Sequence, residues 1–228
     1  MVQAVAGAGK TTFLLNQLNL ENNVALITYT KNNQEQLKEN IIKKFGYYPN
    51  NIHVFGLFEF LYNFCYRPLQ NKYPITGICF DHPSPFLKGF HHTVGRIYSN
   101  QISRLLLAEK INYLTRIERF FDYFYIDEVQ DIAADDFDWL MSLKDLKIPV
   151  TLVGDFYQST FVSSRRGNKG KAIYSSIENY KNQFDQNGFH FEESKLIASH
   201  RCSKSVRHFI QETWNGGWES HRVSVPVV

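Results

Sequence analysis

The stretch Ala4-Val5-Ala6-Gly7-Ala8-Gly9-Lys10-Thr11 contains the residues that decide the fold. The apolar run before it, residues 2–5, predicts a strand, and residues 10–18 have the apolar spacing of a helix. The two glycines permit a tight turn with inward-pointing N–H groups, and a helix N-terminus adds a dipole that favours an anion. This is the context of a phosphate-binding loop, G-x-x-x-x-G-K-[ST], from which the sequence departs only at Ala4.

The loop predicts how a bound triphosphate would be held. Lys10 supplies a positive charge for the β- and γ-phosphates, and the Thr11 hydroxyl is a ligand for Mg²⁺. The alternative is a chance glycine-rich turn, which leaves the agreement of strand, loop and helix unexplained. The predicted nucleotide-binding residues of the loop are Ala6, Gly7, Ala8, Gly9, Lys10, Thr11 and Thr12.

Short apolar runs alternate with longer helical segments, which predicts an α/β fold with a parallel sheet and helices on both faces. Ligands of such sheets bind at the carboxyl ends of the strands. Prolines and glycines interrupt the alternation between residues 67 and 100 and predict irregular structure or a small insertion. The predicted strands are residues 2–5, 24–28, 52–55, 123–126, 150–153 and 195–198. The predicted helices are residues 10–18, 33–44, 57–66, 101–113, 133–143, 172–184 and 203–213.

A burst of acidic residues follows the apolar strand in Phe124-Tyr125-Ile126-Asp127-Glu128-Val129-Gln130-Asp131. Asp127 is placed to hold Mg²⁺, usually through water because that ion dehydrates reluctantly. Glu128 is the candidate that orients and deprotonates the attacking water. The alternative is an exposed acidic helix start, because further aspartates follow and acids favour helix N-termini.

A second strand ends in Gly154-Asp155-Phe156-Tyr157-Gln158-Ser159. The Gln158 amide can donate to a γ-phosphate and accept from a water, so this residue could sense whether the nucleotide is intact. Taken alone, the pattern is also that of an ordinary strand-to-turn junction.

These pieces in this order resemble the superfamily-1 helicases of the UvrD/Rep/PcrA type. The segment from Ile27 to Asn33 is similar to the family's TFTNKAA segment, Asp127-Glu128-Val129-Gln130-Asp131 to its DExQD box, and Val153 to Ser159 to its VGDxxQS motif. Leu196 to Ser203 is similar to its L-x-x-N-Y-R-S motif. The resemblance covers residues 2 to 210 and implies ATP as the nucleotide and a RecA-like P-loop NTPase domain.

The resemblance also implies roles for single residues. Arg201 would contact the γ-phosphate, and His200 would stack on the adenine. Contacts to single-stranded DNA would come from Thr28, Tyr29, Thr30 and Lys31.

The sequence departs from the family in three places. Val54-Phe55-Gly56-Leu57 stands where the family has TFHS, so we expect no DNA contact of that kind there. The glutamine that reads the adenine upstream of the loop has no counterpart, and Gln3 is too close to replace it. The second RecA-like domain would follow Arg201, so we expect this polypeptide alone not to unwind a duplex.

The implied organisation has three parts. Residues 1–66 and 116–213 would form the RecA-like ATPase domain, residues 67–115 a small inserted subdomain similar to the family's subdomain 1B, and residues 214–228 a C-terminal tail.

The charge balance is mildly basic, with 25 Lys and Arg against 22 Asp and Glu. Arg165 and Arg166 belong to a basic loop that could neutralise nucleic-acid phosphates, and Phe161 lies beside it as a ring on which a base could stack. The alternatives are a solvated loop and a packing residue.

Composition excludes several classes of protein. The apolar runs are far too short to span a bilayer, and the N-terminus has no pattern of a secretory signal. The cysteines are 3 and scattered, which excludes a disulfide framework and predicts a cytoplasmic protein.

The sequence therefore predicts an ATPase domain of a UvrD-like helicase that couples ATP hydrolysis to single-stranded DNA binding or translocation, with ATP and Mg²⁺ as ligands. The alternative is a nucleotide-gated DNA-binding or regulatory module that works with a partner protein and does not unwind DNA. A weaker alternative is a P-loop NTPase unrelated to DNA.

Overall fold

The computed structural model describes residues 1–70, 75–81, 91–92, 95–159, 169–170, 172–203 and 219–222. For residues 91–92, 201–203 and 219–222 it describes the backbone alone. The strands are β1 (Val2–Ala4), β2 (Val24–Thr28), β3 (Ile52–Gly56), β4 (Gly77–Cys79), β5 (His91–His92), β6 (Arg96–Tyr98), β7 (Tyr123–Ile126), β8 (Val150–Gly154), β9 (Glu192–Leu196), β10 (Ala198–Ser203) and β11 (Glu219–Arg222). The α-helices are α1 (Lys10–Gln17), α2 (Lys31–Phe45), α3 (Leu57–Glu59), α4 (Ile102–Ala108), α5 (Tyr113–Phe120), α6 (Asp135–Ser142) and α7 (Ile177–Gln186).

The main sheet has six strands in the order β3-β2-β7-β8-β1-β9, and every pair is parallel. The predicted α/β class with a parallel sheet is therefore confirmed. The strands β7 and β8 lie between β2 and β1, so the carboxyl ends of four strands meet at the centre of one edge. This arrangement places the phosphate-binding loop beside the segments that follow β7 and β8.

Alternating side chains of β2 separate two hydrophobic layers. Leu26 packs in a layer that contains Leu14 of α1 and Leu37 of α2. Ile27 packs in the opposite layer, which α4, α5, α6 and α7 also line. Because adjacent strand residues point to opposite faces, the sheet is covered by helices on both sides, as the sequence predicts.

Helix α2 has a polar cap at its start and a glycine at its end. The Thr30 side chain accepts a hydrogen bond from the Asn33 N–H at 3.1 Å. Gly46 adopts a left-handed φ of 81° and its N–H donates to the Ile42 carbonyl at 2.7 Å. These two caps set where α2 begins and ends in the segment between β2 and β3.

Several predicted elements differ in detail. The predicted helix 57–66 begins as α3 and continues as a π-helix, Phe60–Tyr66. The predicted helix 101–113 is a 3-10 turn, Ser99–Gln101, followed by α4, and a separate helix α5 then starts at Tyr113. The predicted short strand 195–198 is two strands, β9 and β10. The predicted last helix, 203–213, lies almost wholly outside the described residues.

A small second sheet forms within the proline- and glycine-rich region. Strand β6 pairs in parallel with β4 and antiparallel with β5. Helix α4 follows it in the chain and packs on α6 in the main core, where the Ser103 hydroxyl donates to Asp136 Oδ1 at 2.6 Å. A further pair, β10 and β11, is parallel.

The edge strand β3 has partners for the N–H groups that point away from the sheet. The Ile52 N–H donates to the Pro49 carbonyl at 3.4 Å. The Val54 N–H donates to the Tyr48 hydroxyl at 3.3 Å, and the Gly56 N–H to Glu59 Oε2 at 3.4 Å.

Among the described residues, no helix combines the length and the apolar character that a membrane crossing requires.

Candidate functional site

The loop between β1 and α1 has the backbone of an anion-binding turn. Gly7 and Gly9 have φ values of 72° and 85°, which is the left-handed region that favours glycine. A Cβ atom on Gly9 would meet only the Thr12 side chain, at 3.8 Å, so conformation rather than space requires glycine there. No side chain of the described residues caps the start of α1, which leaves the first N–H groups of the helix for an anion.

An open cleft of about 510 Å³ lies against this loop. Its walls come from the loop, from α2, from the segment after β7, from the segment after β8 and from β10. The lining residues are Gly7, Ala8, Gly9, Lys10, Thr11, Asn33, Gln36, Glu128, Gln158 and His200.

The structure therefore brings together Lys10, Thr11, Glu128, Gln158 and His200, which the sequence predicts for one site. Other predicted residues are not in the lining of the cleft. They are Ala6 and Thr12 of the loop and Asp127 at the end of β7. The Arg201 side chain lies outside what the structure describes.

Glu128 forms an ion pair with the loop lysine. Lys10 Nζ lies 3.1 Å from Glu128 Oε2, and the two side chains are 11% and 25% exposed. The same carboxylate oxygen accepts a hydrogen bond from Gln130 Nε2 at 2.8 Å. Glu128 has a φ of 55°, an uncommon conformation for a residue with a Cβ atom, and such residues concentrate at functional sites.

Asp127 is buried directly beside this pair. Burial, and then the neighbouring Glu128, raise the pKa of its carboxyl group to about 7, against the opposing effect of the Lys10 charge. Asp127 Oδ1 accepts a hydrogen bond from the Glu128 N–H at 2.9 Å. A buried acid of this kind gains from a nearby cation, because the cation favours the charged form.

The donor set fits a magnesium ion. Asp127 and Thr11 offer only oxygen atoms, which are the ligands that Mg²⁺ prefers. Among the described residues, no cluster of three His, Cys, Asp or Glu side chains could hold a metal. An ion here would therefore depend on phosphate and water for its remaining ligands, as Mg²⁺ often does at nucleotide sites.

The segment after β8 is held by buried polar contacts. Asp155 Oδ1 accepts a hydrogen bond from the Tyr157 N–H at 3.1 Å. Burial raises the pKa of Asp155 to about 6, against the opposing effect of the Lys10 charge. The Asp155 N–H donates to Gln130 Oε1 at 2.9 Å, and the Phe156 N–H donates to Gln3 Oε1 at 3.2 Å.

Strand β10 is attached to the phosphate-binding loop by two hydrogen bonds. The His200 N–H donates to the Gly7 carbonyl at 2.9 Å, and the Ser199 hydroxyl donates to the Ala6 carbonyl at 2.6 Å. The His200 ring is exposed at the cleft. This strand thus carries an aromatic side chain to the loop from a distant part of the sequence.

The predicted DNA-contacting segment lies where β2 ends and α2 begins. Thr28 is 1% exposed, and the Thr30 hydroxyl caps α2. Tyr29 packs edge-on against Phe58 with ring centroids 5.9 Å apart, and Lys31 is exposed. The predicted contacts Phe161, Arg165 and Arg166 lie outside the described residues.

Sequence reasoning assigned no role at this site to four polar residues. Asn33 and Gln36 line the cleft from α2, where their i, i+3 spacing next to the loop-facing end of the helix was a usable signal. Gln3 in β1 and Gln130 in the 3-10 turn Val129–Asp131 after β7 hold the segment after β8. The sequence carries no signal for such a long-range contact, because Gln3 and Phe156 are distant in the chain.

The chain is similar to three solved helicase structures at low identity. PRRSV helicase is 16% identical with a TM-score of 0.43, and the alignment covers 99% of this chain and 37% of that one. Pif1 from Bacteroides sp. in complex with ADP-AlF4 is 16% identical with a TM-score of 0.35, over 84% of this chain and 36% of that one. Unliganded Pif1 from Bacteroides sp. is 16% identical with a TM-score of 0.39, over 93% and 40%.

The chain thus spans 36% to 40% of the length of these proteins. No model of a protein family and no curated protein matches the sequence.

Proposed function

We propose that this chain is an ATP-binding and ATP-hydrolysing domain of the superfamily-1 helicase class, RecA-like in fold and of the UvrD type. The observation that carries the proposal is the shared cleft. Lys10, Glu128, Gln158 and His200 come from four separate segments and line one cavity at the carboxyl edge of a parallel sheet. That edge is where such folds bind nucleotides.

The proposed chemistry is phosphoryl transfer to water. Lys10 and the loop N–H groups bind the β- and γ-phosphates, and Thr11 and Asp127 would hold Mg²⁺, which would supply charge neutralisation on the phosphates. Glu128 orients the attacking water, and Gln158 contacts the γ-phosphate. A triphosphate would draw Lys10 out of its 3.1 Å ion pair, which frees the Glu128 carboxylate for water.

The proposed nucleotide contacts extend along β10. His200 stacks on the adenine, and Arg201 contacts the γ-phosphate. The hydrogen bond from the His200 N–H to the Gly7 carbonyl supports this part, because it ties the strand to the phosphate-binding loop.

The proposed partner is single-stranded DNA. Its contacts are Thr28, Tyr29, Thr30 and Lys31, together with Phe161, Arg165 and Arg166 of the basic loop. Lys31 is exposed and follows Tyr29 by two residues, which supports a site that combines a phosphate-neutralising charge with an aromatic side chain. A second RecA-like domain or a partner protein would be needed for translocation, and residues 67–115 would be the inserted subdomain.

Two substitutions test the hydrolytic role. We expect Lys10→Ala to abolish Mg²⁺-dependent phosphate release, because it removes the charge that binds the phosphates. We expect Glu128→Gln to retain binding of a fluorescent ATP analogue while turnover falls by about 10²- to 10⁴-fold. Lys38→Ala and Glu39→Gln are matched controls, since both side chains are exposed on α2. Turnover of Glu128→Gln equal to that of the parent would remove Glu128 from its role.

A second candidate function is a nucleotide-gated module without turnover. The Lys10–Glu128 ion pair favours it if a bound nucleotide leaves the pair intact, because the carboxylate is then not free to activate water. Steady-state phosphate release with and without a dT oligonucleotide separates the two functions. Stimulation by the oligonucleotide supports the ATPase, whereas nucleotide binding without release supports the module.

A further inference from the structure

Gln130 joins two parts of the cleft through one side-chain amide. Its Nε2 donates to Glu128 Oε2 at 2.8 Å, and its Oε1 accepts from the Asp155 N–H at 2.9 Å. Its backbone carbonyl accepts from the Ser159 hydroxyl at 3.2 Å. The segment that carries Gln158 is therefore attached at both ends to Gln130.

The Gln130 side chain is closely packed. Gln130 is 2% exposed, so water does not compete for its amide. A Cβ atom on Gly154 would lie 2.7 Å from Gln130 Oε1 and 3.2 Å from the Gln130 backbone nitrogen. Gly154 thus lets strand β8 approach the amide closely, and any displacement of the segment after β8 must move Gln130 or break its hydrogen bond.

The chemistry of the link requires an amide. One end must donate to a carboxylate and the other must accept from a backbone N–H, and a glutamine side chain does both. A glutamate would place a second carboxylate beside Glu128, and a methionine would satisfy neither partner.

We propose that Gln130 is a positioning residue that couples the orientation of Glu128 to the position of the segment carrying Gln158. This proposal rests on the proposed ATPase function. When Gln158 meets a γ-phosphate, its segment shifts against Asp155, and the amide transmits that shift to the carboxylate that orients water. Binding of the phosphate and activation of water are then linked through one side chain.

The primary test compares Gln130→Met with Gln101→Met. Gln101 is also buried, at 9% exposure, but it lies outside the cleft and accepts from Arg104. We expect Gln130→Met to lower kcat by about 10- to 100-fold while KM and the affinity for a fluorescent ATP analogue stay within about threefold. We expect Gln101→Met to keep the parental kcat. A fall confined to KM, or an equal fall of kcat in both variants, would overturn the coupling.

A double-mutant cycle tests the direct contact and guards against misfolding. Gln130→Glu keeps an acceptor for the Asp155 N–H but repels Glu128, so we expect it to lower both kcat and the midpoint of urea unfolding. Adding Glu128→Gln restores a donor–acceptor pair, so the unfolding midpoint should recover while turnover stays at the level of Glu128→Gln alone. Additive losses in both measurements would exclude the contact.

Different results would contradict the ATPase function and the coupling through Gln130. If the parent shows no Lys10-dependent turnover, the ATPase function is wrong and the coupling falls with it. If the parent turns over ATP and Gln130→Met matches it, the coupling alone is wrong.

Discussion

Neighbouring acids at the end of β7 occupy different environments. Asp127 is 4% exposed and its pKa is raised to about 7, whereas Glu128 turns toward the cleft and pairs with Lys10. The left-handed backbone at Glu128, with a φ of 55°, separates the two side chains. Under the proposed function, the two adjacent carboxylates would serve a metal ion and a water molecule without occupying the same place.

Asp155 gives a prediction about pH at the scale of one residue. The carboxyl group is 0% exposed, and burial raises its pKa from 3.8 to about 6. Its charge in the folded protein is unfavourable relative to the unfolded chain at any pH above about 6. We therefore expect Asp155→Asn to stabilise the ligand-free protein by about 1–3 kcal/mol at pH 7.5.

The sign of this effect fixes its pH dependence. As the pH falls through 6 toward 3.8, the folded protein takes up the proton first, and the advantage of Asp155→Asn disappears. Urea unfolding at pH 7.5, 5 and 4 measures the difference. Asp145→Asn, an exposed aspartate, is the control and should show no such trend. An advantage of equal size at pH 7.5 and pH 4 would contradict the assigned cause.

At the scale of one element, α2 shows how local sequence sets a boundary. Thr30 caps its start, Gly46 ends it, and Lys43 and Lys44 lie in its last turn, where they complement the helix dipole. The helix can be predicted from the sequence because its caps and its apolar spacing agree.

The end of α2 gives a second prediction. A Cβ atom on Gly46 would meet nothing within 4 Å, so only its left-handed φ of 81° opposes a side chain. We expect Gly46→Ala to lower the free energy of unfolding by about 1 kcal/mol. The control is Gly77→Ala, where the space is also open and φ is not left-handed. We expect it to leave stability unchanged or raised. Equal losses in the two variants would exclude backbone conformation as the cause.

Other elements could not be predicted because tertiary packing decides them. The π-helix Phe60–Tyr66 keeps several aromatic side chains in the core, and nothing in its local sequence distinguishes it from an α-helix. The break between α4 and α5 occurs where Lys110 adopts a φ of 50°. The residues around Lys110 include neither glycine nor proline, so the sequence gave no indication of that break.

At the scale of the whole molecule, the sheet divides the core into two layers. Leu26 and Ile27 are both 0% exposed and point to opposite layers. We expect Leu26→Ala and Ile27→Ala each to lower the free energy of unfolding by about 2–5 kcal/mol, because each leaves a cavity in its own layer. Urea unfolding followed by circular dichroism measures both. Leu20→Ala, at a residue 50% exposed, is the control, and a loss there as large as in the core would contradict the layered arrangement.

The sequence motifs predicted most of the residues of the candidate site, but not the hydrogen bonds that join them. Lys10, Glu128 and Gln158 follow strands that alternate with helices, so their meeting at one edge follows from general rules of parallel sheets. The contact of Gln3 with Phe156 and the two-sided bonding of Gln130 depend on strand order, β7-β8-β1, which the sequence does not encode locally. Motifs thus identify the groups, and topology decides which of them touch.

The bonded amides of β3 also affect how copies of the protein meet. A strand from another molecule that approached this edge would find its three outward donors already engaged by Pro49, Tyr48 and Glu59, with only carbonyl oxygens left to offer. Half of the usual hydrogen-bond ladder could not form. Edge-to-edge pairing of sheets into fibrils is therefore disfavoured on this side.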